Sequence, residues 1–122
     1  MIAHRGASGY AFENSPAAFR EAAARGVDGV ELDVHATADG GIVVHHDPEL
    51  TGGRPLDTLT LAEATAWLLP NGEPVPTLAA ALTLIGDRDV WIEVKSLPVT
   101  YDAALLSALD RGPFPARYAV HS

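Results

Sequence analysis

The chain has 122 residues, 48% of them hydrophobic, with 8 basic and 16 acidic side chains and a formal charge of −8. That composition supplies a core for one small domain and excludes a disordered chain, while the acidic balance argues against a nucleic-acid-binding surface, which is normally basic. The absence of cysteine excludes disulfides and thiolate metal sites; no apolar run approaches the roughly 20 residues of a membrane span and no signal-peptide pattern opens the chain, so a soluble, cytoplasmic protein is expected.

The predicted elements begin with a short apolar strand over residues 1–5. Ser15-Pro16 then marks a helix start, with Ser15 as N-cap and Pro16 at the first helical position. Ala18, Phe19, Ala22 and Ala23 form the apolar stripe of that helix and Gly26 stops it. Val30-Glu31-Leu32-Asp33-Val34 alternates as a strand, placing Glu31 and Asp33 on one face, roughly 7 Å apart along it. The link from Val34 to Ile42 is too short for a parallel crossover, so the next strand returns antiparallel, with Asp39-Gly40 as the turn. A turn centred between those two residues puts position 46 opposite position 33, delivering His46 beside the acids.

Residues 48–59, rich in Pro, Gly and Asp, read as loop. Thr60-Leu61-Ala62-Glu63 is a capping box that opens a short helix. After a break from Pro70 to Pro76, Thr77 caps a helix through Leu78, Leu82 and Ile85 that Gly86 ends. Val90 to Lys95 is a strand, Thr100 caps a helix through Leu105, Leu106 and Leu109, and residues 117–121 form a fourth main strand. Strands alternating with helices predict an α/β fold with a parallel sheet.

Catalytic residues of such folds gather at the carboxyl ends of the strands. Here those ends supply His4, Arg5, Glu31, Asp33, Glu93 and Lys95, and His46 joins them from the hairpin. Three carboxylates suit a hard divalent cation, Mg²⁺ or Ca²⁺. Two histidines suit a general acid and base, and Arg5 with Lys95 suits a phosphate. Plainer readings stand beside these. Glu31 and Asp33 also fit a solvated strand face, Glu93 and Lys95 a same-strand ion pair, and one of His45 and His46 an exposed hairpin edge, His46 being the candidate for chemistry. Gly6-Ala7-Ser8-Gly9 lacks the Lys-Ser/Thr ending of a P-loop. Phe12, Trp67 and Trp91 are expected to be packing residues.

Together these residues resemble the glycerophosphodiester phosphodiesterase family. The matching pieces are His4-Arg5-Gly6, Glu13-Asn14, Glu31-Leu32-Asp33-Val34, Thr37 with Asp39-Gly40, Val43-Val44-His45-His46-Asp47-Pro48 and Ile92-Glu93-Val94-Lys95, in that order. Phe12 departs from the proline usual before Glu13. The resemblance implies a TIM (β/α)8 barrel that hydrolyses glycerophosphodiesters to glycerol 3-phosphate and an alcohol. In it Glu31, Asp33 and Glu93 would hold Mg²⁺ or Ca²⁺, His4 and His46 would form the acid/base pair, and Arg5 and Lys95 would contact phosphate. A TIM barrel takes about 250 residues, so residues 1–122 are expected to form about its first half, truncated near the fourth strand. An open half-barrel would expose sheet edges prone to self-association. Two further readings are a non-catalytic metal- or phosphate-binding half-barrel, or a dimer that completes a barrel, and a related phospholipase D-like or phosphoinositide-cleaving activity.

Overall fold

The computed structural model describes residues 1–96 and 101–121. Its main sheet is built from β1 (Ile2–His4), β2 (Gly29–Ala36), β6 (Asp89–Ser96) and β7 (Tyr118–His121), which pair in that order, all parallel. β3 (Ile42–Val44) runs antiparallel to β2. The helices α1 (Pro16–Ala24), α3 (Leu78–Ile85) and α4 (Asp102–Asp110) follow successive parallel strands. This is the α/β order predicted from the sequence.

Strand alternation sorts the sheet into two faces. Val30, Leu32, Val34, Val90 and Ile92 turn outward and are buried with Phe19 and Ala22 of α1, Leu78, Leu82 and Ile85 of α3, and Leu105 and Leu109 of α4. Burying each larger side chain of that set is worth about 1.5–3 kcal/mol, and this layer fixes which way the strands face. The opposite face is thereby left to Glu31, Asp33, Trp91 and Glu93. Local signals start the helices as expected. The Ser15 hydroxyl accepts from the Ala18 N–H at 3.1 Å, and Thr77 accepts from Ala80 at 3.0 Å. Arg88 knits the amino end of the sheet together by donating to the carbonyls of Val27, Ile85 and Ala23.

β6 pairs with β2 from Gly29 to His35 along one edge, so β1 and β3 share the other. β1 covers Gly29–Glu31 and β3 covers Val34–Ala36. The hairpin therefore sits beyond the end of β1, over the carboxyl end of the sheet. Its connection is not a two-residue turn. Residues 37–41 link the strands, with the Thr37 N–H donating to the Gly41 carbonyl at 2.8 Å and Gly40 in the left-handed region at φ 84°. The Thr37 hydroxyl braces this loop against Asp39 Oδ1 at 2.7 Å. The longer loop moves the register by one residue: Val34 faces Val44 and Ala36 faces Ile42. Asp33 therefore meets His45, whose N–H donates to the Asp33 carbonyl at 3.0 Å, and not His46 as the shorter turn predicted.

Residues 48–59 are also more ordered than a loop. They contain the paired β4 (Glu49–Leu50) and β5 (Arg54–Pro55) and a 3-10 turn at Leu56–Thr58. With α2 (Leu61–Ala66), opened by the predicted Thr60/Glu63 capping box, they build a second small core. Leu50, Leu56, Leu59, Ala64, Leu69 and Val75 close it over Val43. Thr100, the predicted cap of α4, lies outside the described residues. Among the described residues no helix is long and apolar enough to cross a membrane.

Candidate active site

The β2–β6 register sets Asp33 beside Glu93 and Glu31 beside Trp91. One carboxylate oxygen from each of Glu31, Asp33 and Glu93 lies within 4.8 Å of the others, so the acids predicted as metal ligands are brought together. Three negative charges at that spacing repel each other, and their environments differ. Burial, then the neighbouring Asp33 charge, raises the Glu31 carboxyl above its ordinary value. The hydrogen bond from Lys95 Nζ at 3.2 Å lowers Glu93 below its own. Lys95 is thus the ion-pair partner of Glu93 within β6.

The chain between β1 and α1 folds into this cluster. Arg5 and Asn14 both adopt left-handed backbone, at φ 54° and 55°, a conformation that costs a residue with a side chain about 1–2 kcal/mol. The Asn14 N–H donates to the Arg5 carbonyl at 2.8 Å and locks the two together. Asn14 is buried, and its Nδ2 donates to Asp33 Oδ2 at 3.0 Å. Arg5 Nη1 donates to Glu13 Oε2 at 2.9 Å, and its Nε lies 3.5 Å from Asp33 Oδ2. Asp33 is therefore anchored through one oxygen. Its Oδ1, Glu31 Oε1 and Asn14 Oδ1 are buried with no hydrogen-bond partner among the described residues. Buried acceptors left without donors are costly, and a cation satisfies such a set. All are oxygens, the donors that Mg²⁺ and Ca²⁺ take.

The two predicted histidines flank the acids differently. His4 ends β1, is largely exposed, and has Nε2 3.7 Å from Glu31 Oε2. His46 lies just past β3, with Nδ1 2.7 Å from Asp47 Oδ1. That bond holds Asp47 below the usual carboxylate range. Behind them, buried His35 shares a hydrogen bond between Nε2 and the His46 carbonyl at 2.9 Å, and burial lowers its pKa. Sequence reasoning did not single out His35, nor give Glu13 and Asn14 a role at the site. The alternation that assigned Glu31 and Asp33 to one face also assigns His35 to it. Phe12, expected to be packing, is instead 38% exposed at the rim.

The parallel sheet thus carries a carboxylate cluster flanked by histidines at its carboxyl end, where α/β folds gather their functional residues. The chain belongs to the glycerophosphoryl diester phosphodiesterase family, whose model matches residues 4–106. It is 38% identical to a glycerophosphodiester phosphodiesterase of Caldanaerobacter subterraneus subsp. tengcongensis, over all of this chain and 57% of that protein. Among solved structures, it superposes with a TM-score of 0.86 and 29% identity on a phosphodiesterase of Oleispira antarctica in complex with the product sn-glycerol-3-phosphate, covering 98% of this chain and 54% of that one. A glycerophosphodiester phosphodiesterase from Parabacteroides distasonis gives a TM-score of 0.84 at 29% identity, with 98% and 54% covered. The fold is thus that of part of a TIM barrel, and the chain spans about half the length of the curated relatives it matches.

Proposed function

We propose that this chain carries the metal-holding and acid/base part of a centre that hydrolyses glycerophosphodiesters to glycerol 3-phosphate and an alcohol. Its four parallel strands correspond in this reading to the first four strands of the barrel. The observation that carries it is the convergence of Glu31, Asp33 and Glu93 within 4.8 Å, beside buried oxygens that lack donors. Glu31, Asp33 and Glu93 would hold Mg²⁺ or Ca²⁺, which when bound stabilises negative charge developing on the phosphoryl oxygens.

The chain's own residues supply the rest. Asp47 keeps the proton of His46 on Nδ1, leaving Nε2 to exchange protons with substrate. His4, beside Glu31, is the second member of the acid/base pair. The glycerol hydroxyl next to the ester attacks phosphorus while one imidazole takes its proton and the other protonates the departing alcohol. Water then opens the cyclic phosphate with the roles reversed. Arg5 and Lys95, whose charges also balance Asp33 and Glu93, orient the phosphate.

The test is release of glycerol 3-phosphate from glycerophosphocholine with Mg²⁺ or Ca²⁺. Release should stop with a chelator and fall roughly 10²- to 10⁴-fold in His4→Ala and His46→Ala. No release, or release indifferent to chelator and to both substitutions, overturns the proposal.

A further inference from the structure

We infer that His121 is a further substrate-contact residue of this centre, donating an imidazole N–H to the phosphoryl group from the β7 side; this rests on the phosphodiesterase reading. The sheet register brings it there. Tyr118 pairs with Val90 and packs against the helix-facing core, so alternation along β7 turns Ala119 and His121 to the opposite face, the one that carries the acids. His121 is the register partner of Glu93, and Glu93 that of Asp33, so the three form one row across the carboxyl end of the sheet. At the other edge His4 is the register partner of Glu31. The carboxylates are thus flanked by an imidazole on each side.

Position separates His121 from the carboxylate ligands. It stands one strand beyond Glu93, about 4.8 Å, and two strands beyond Asp33. It is no part of the set whose ligand atoms lie within 4.8 Å of one another. Its reach therefore suits a group held over the acids and not a cation shared by them. The hydrogen bond from Lys95 first, and the charge of His121 as a smaller cause, hold Glu93 below its ordinary value, so the imidazole is near enough to act on this carboxylate. The other cations beside the acids are already engaged, Lys95 with Glu93 and Arg5 with Glu13 and Asp33. His4 lies beside Glu31 and His46 beside Asp47, whereas exposed His121 makes no hydrogen bond or ion pair among the described residues. An imidazole keeps at least one N–H donor in either tautomer, and a phosphoryl oxygen is a strong acceptor for it.

The experiment titrates sn-glycerol 3-phosphate into the chain with Ca²⁺ present and follows the histidine rings by NMR, with glycerol as the control. The phosphate should shift the His121 ring and glycerol should not. His121→Ala should weaken sn-glycerol 3-phosphate binding roughly 5- to 20-fold, and His121→Gln, which keeps an N–H donor, should recover part of that loss. Ca²⁺ affinity measured by calorimetry should stay within about 2-fold of wild type in both variants, whereas a residue that only orients Glu93 would lower it about 10- to 100-fold. An unmoved His121 ring, equal binding by His121→Ala, a shift produced by glycerol alone, or a parallel loss of Ca²⁺ affinity overturns the inference. Hydrolysis separates this outcome from the parent reading. Equal kcat/KM for glycerophosphocholine in wild type and His121→Ala refutes the contact and leaves the phosphodiesterase reading intact. Binding of sn-glycerol 3-phosphate at His121 without its release from glycerophosphocholine does the reverse.

Discussion

Glu31→Gln should change stability in opposite directions with and without a divalent cation. In the metal-free protein the folded-state pKa of Glu31 is raised, mainly by burial and then by Asp33. A raised carboxyl favours folding fully below the unfolded-state pKa, and that contribution is lost as pH rises through the folded value. At pH 7 the ionised group therefore opposes folding, and the uncharged glutamine relieves it. Metal-free Glu31→Gln should be more stable than wild type at pH 7, and this advantage should shrink as the pH falls toward 4.

With a cation the sign reverses. Free Mg²⁺ or Ca²⁺ at 100 times its Kd adds about 2.7 kcal/mol to wild type, or about 10 °C in Tm for a domain of this size. If losing one of three carboxylate ligands weakens the site about a hundredfold, the same ion concentration adds only about 0.4 kcal/mol to the variant, about 2 °C. Thermal unfolding with EDTA and with each cation, at pH 7 and pH 5, measures both effects. An unchanged cation shift in Glu31→Gln, or a metal-free variant less stable than wild type at pH 7, refutes the reasoning.

Asn14→Ala removes the charge-assisted bond to Asp33 and puts alanine at φ 55°; calorimetric titration should show cation affinity falling about 10- to 100-fold, as for other residues that orient ligands. His35 is held neutral by burial, so its contribution to stability is full above about pH 6.5 and is lost as the pH falls through its lowered folded value. Urea midpoints at pH 7 and pH 5 should therefore differ less in His35→Gln than in wild type, and an equal difference would remove His35 as the cause. At Gly6, φ is 77° and an added Cβ would lie 2.8 Å from Ala18 Cβ. Gly6→Ala should cost about 2–4 kcal/mol from strain and crowding combined, read by chemical denaturation, and a cost under about 1 kcal/mol would contradict that geometry.

Much of the fold was legible because its causes are local. A hydroxyl three residues ahead of an unpaired N–H makes a cap wherever it occurs, so Ser15, Thr60 and Thr77 announce their helices. Period-two alternation assigned Glu31 and Asp33 to one face before any partner strand was known. The hairpin register was not legible, because Asp39-Gly40 fits both a two-residue turn and the longer loop braced by Thr37. That one-residue difference brings His45, not His46, opposite Asp33. Residues 48–59 look polar and irregular in sequence, yet Leu50, Leu56 and Leu59 find a common core with Val43 and Val75.

The sequence by itself determined which residue types could do chemistry, where the helices start, and which strand face carries the acids. Each of these follows from side-chain chemistry and backbone period within a few residues. Only the tertiary structure decided that Glu93 comes within reach of Glu31 and Asp33, through the β2–β6 register. The fold alone also decided that Asn14, 19 residues from Asp33, holds one of its oxygens while the other has no hydrogen-bond partner among the described residues. Such contacts depend on how the helix-facing layer packs and sets the strands side by side, and no spacing within a single segment encodes that distance.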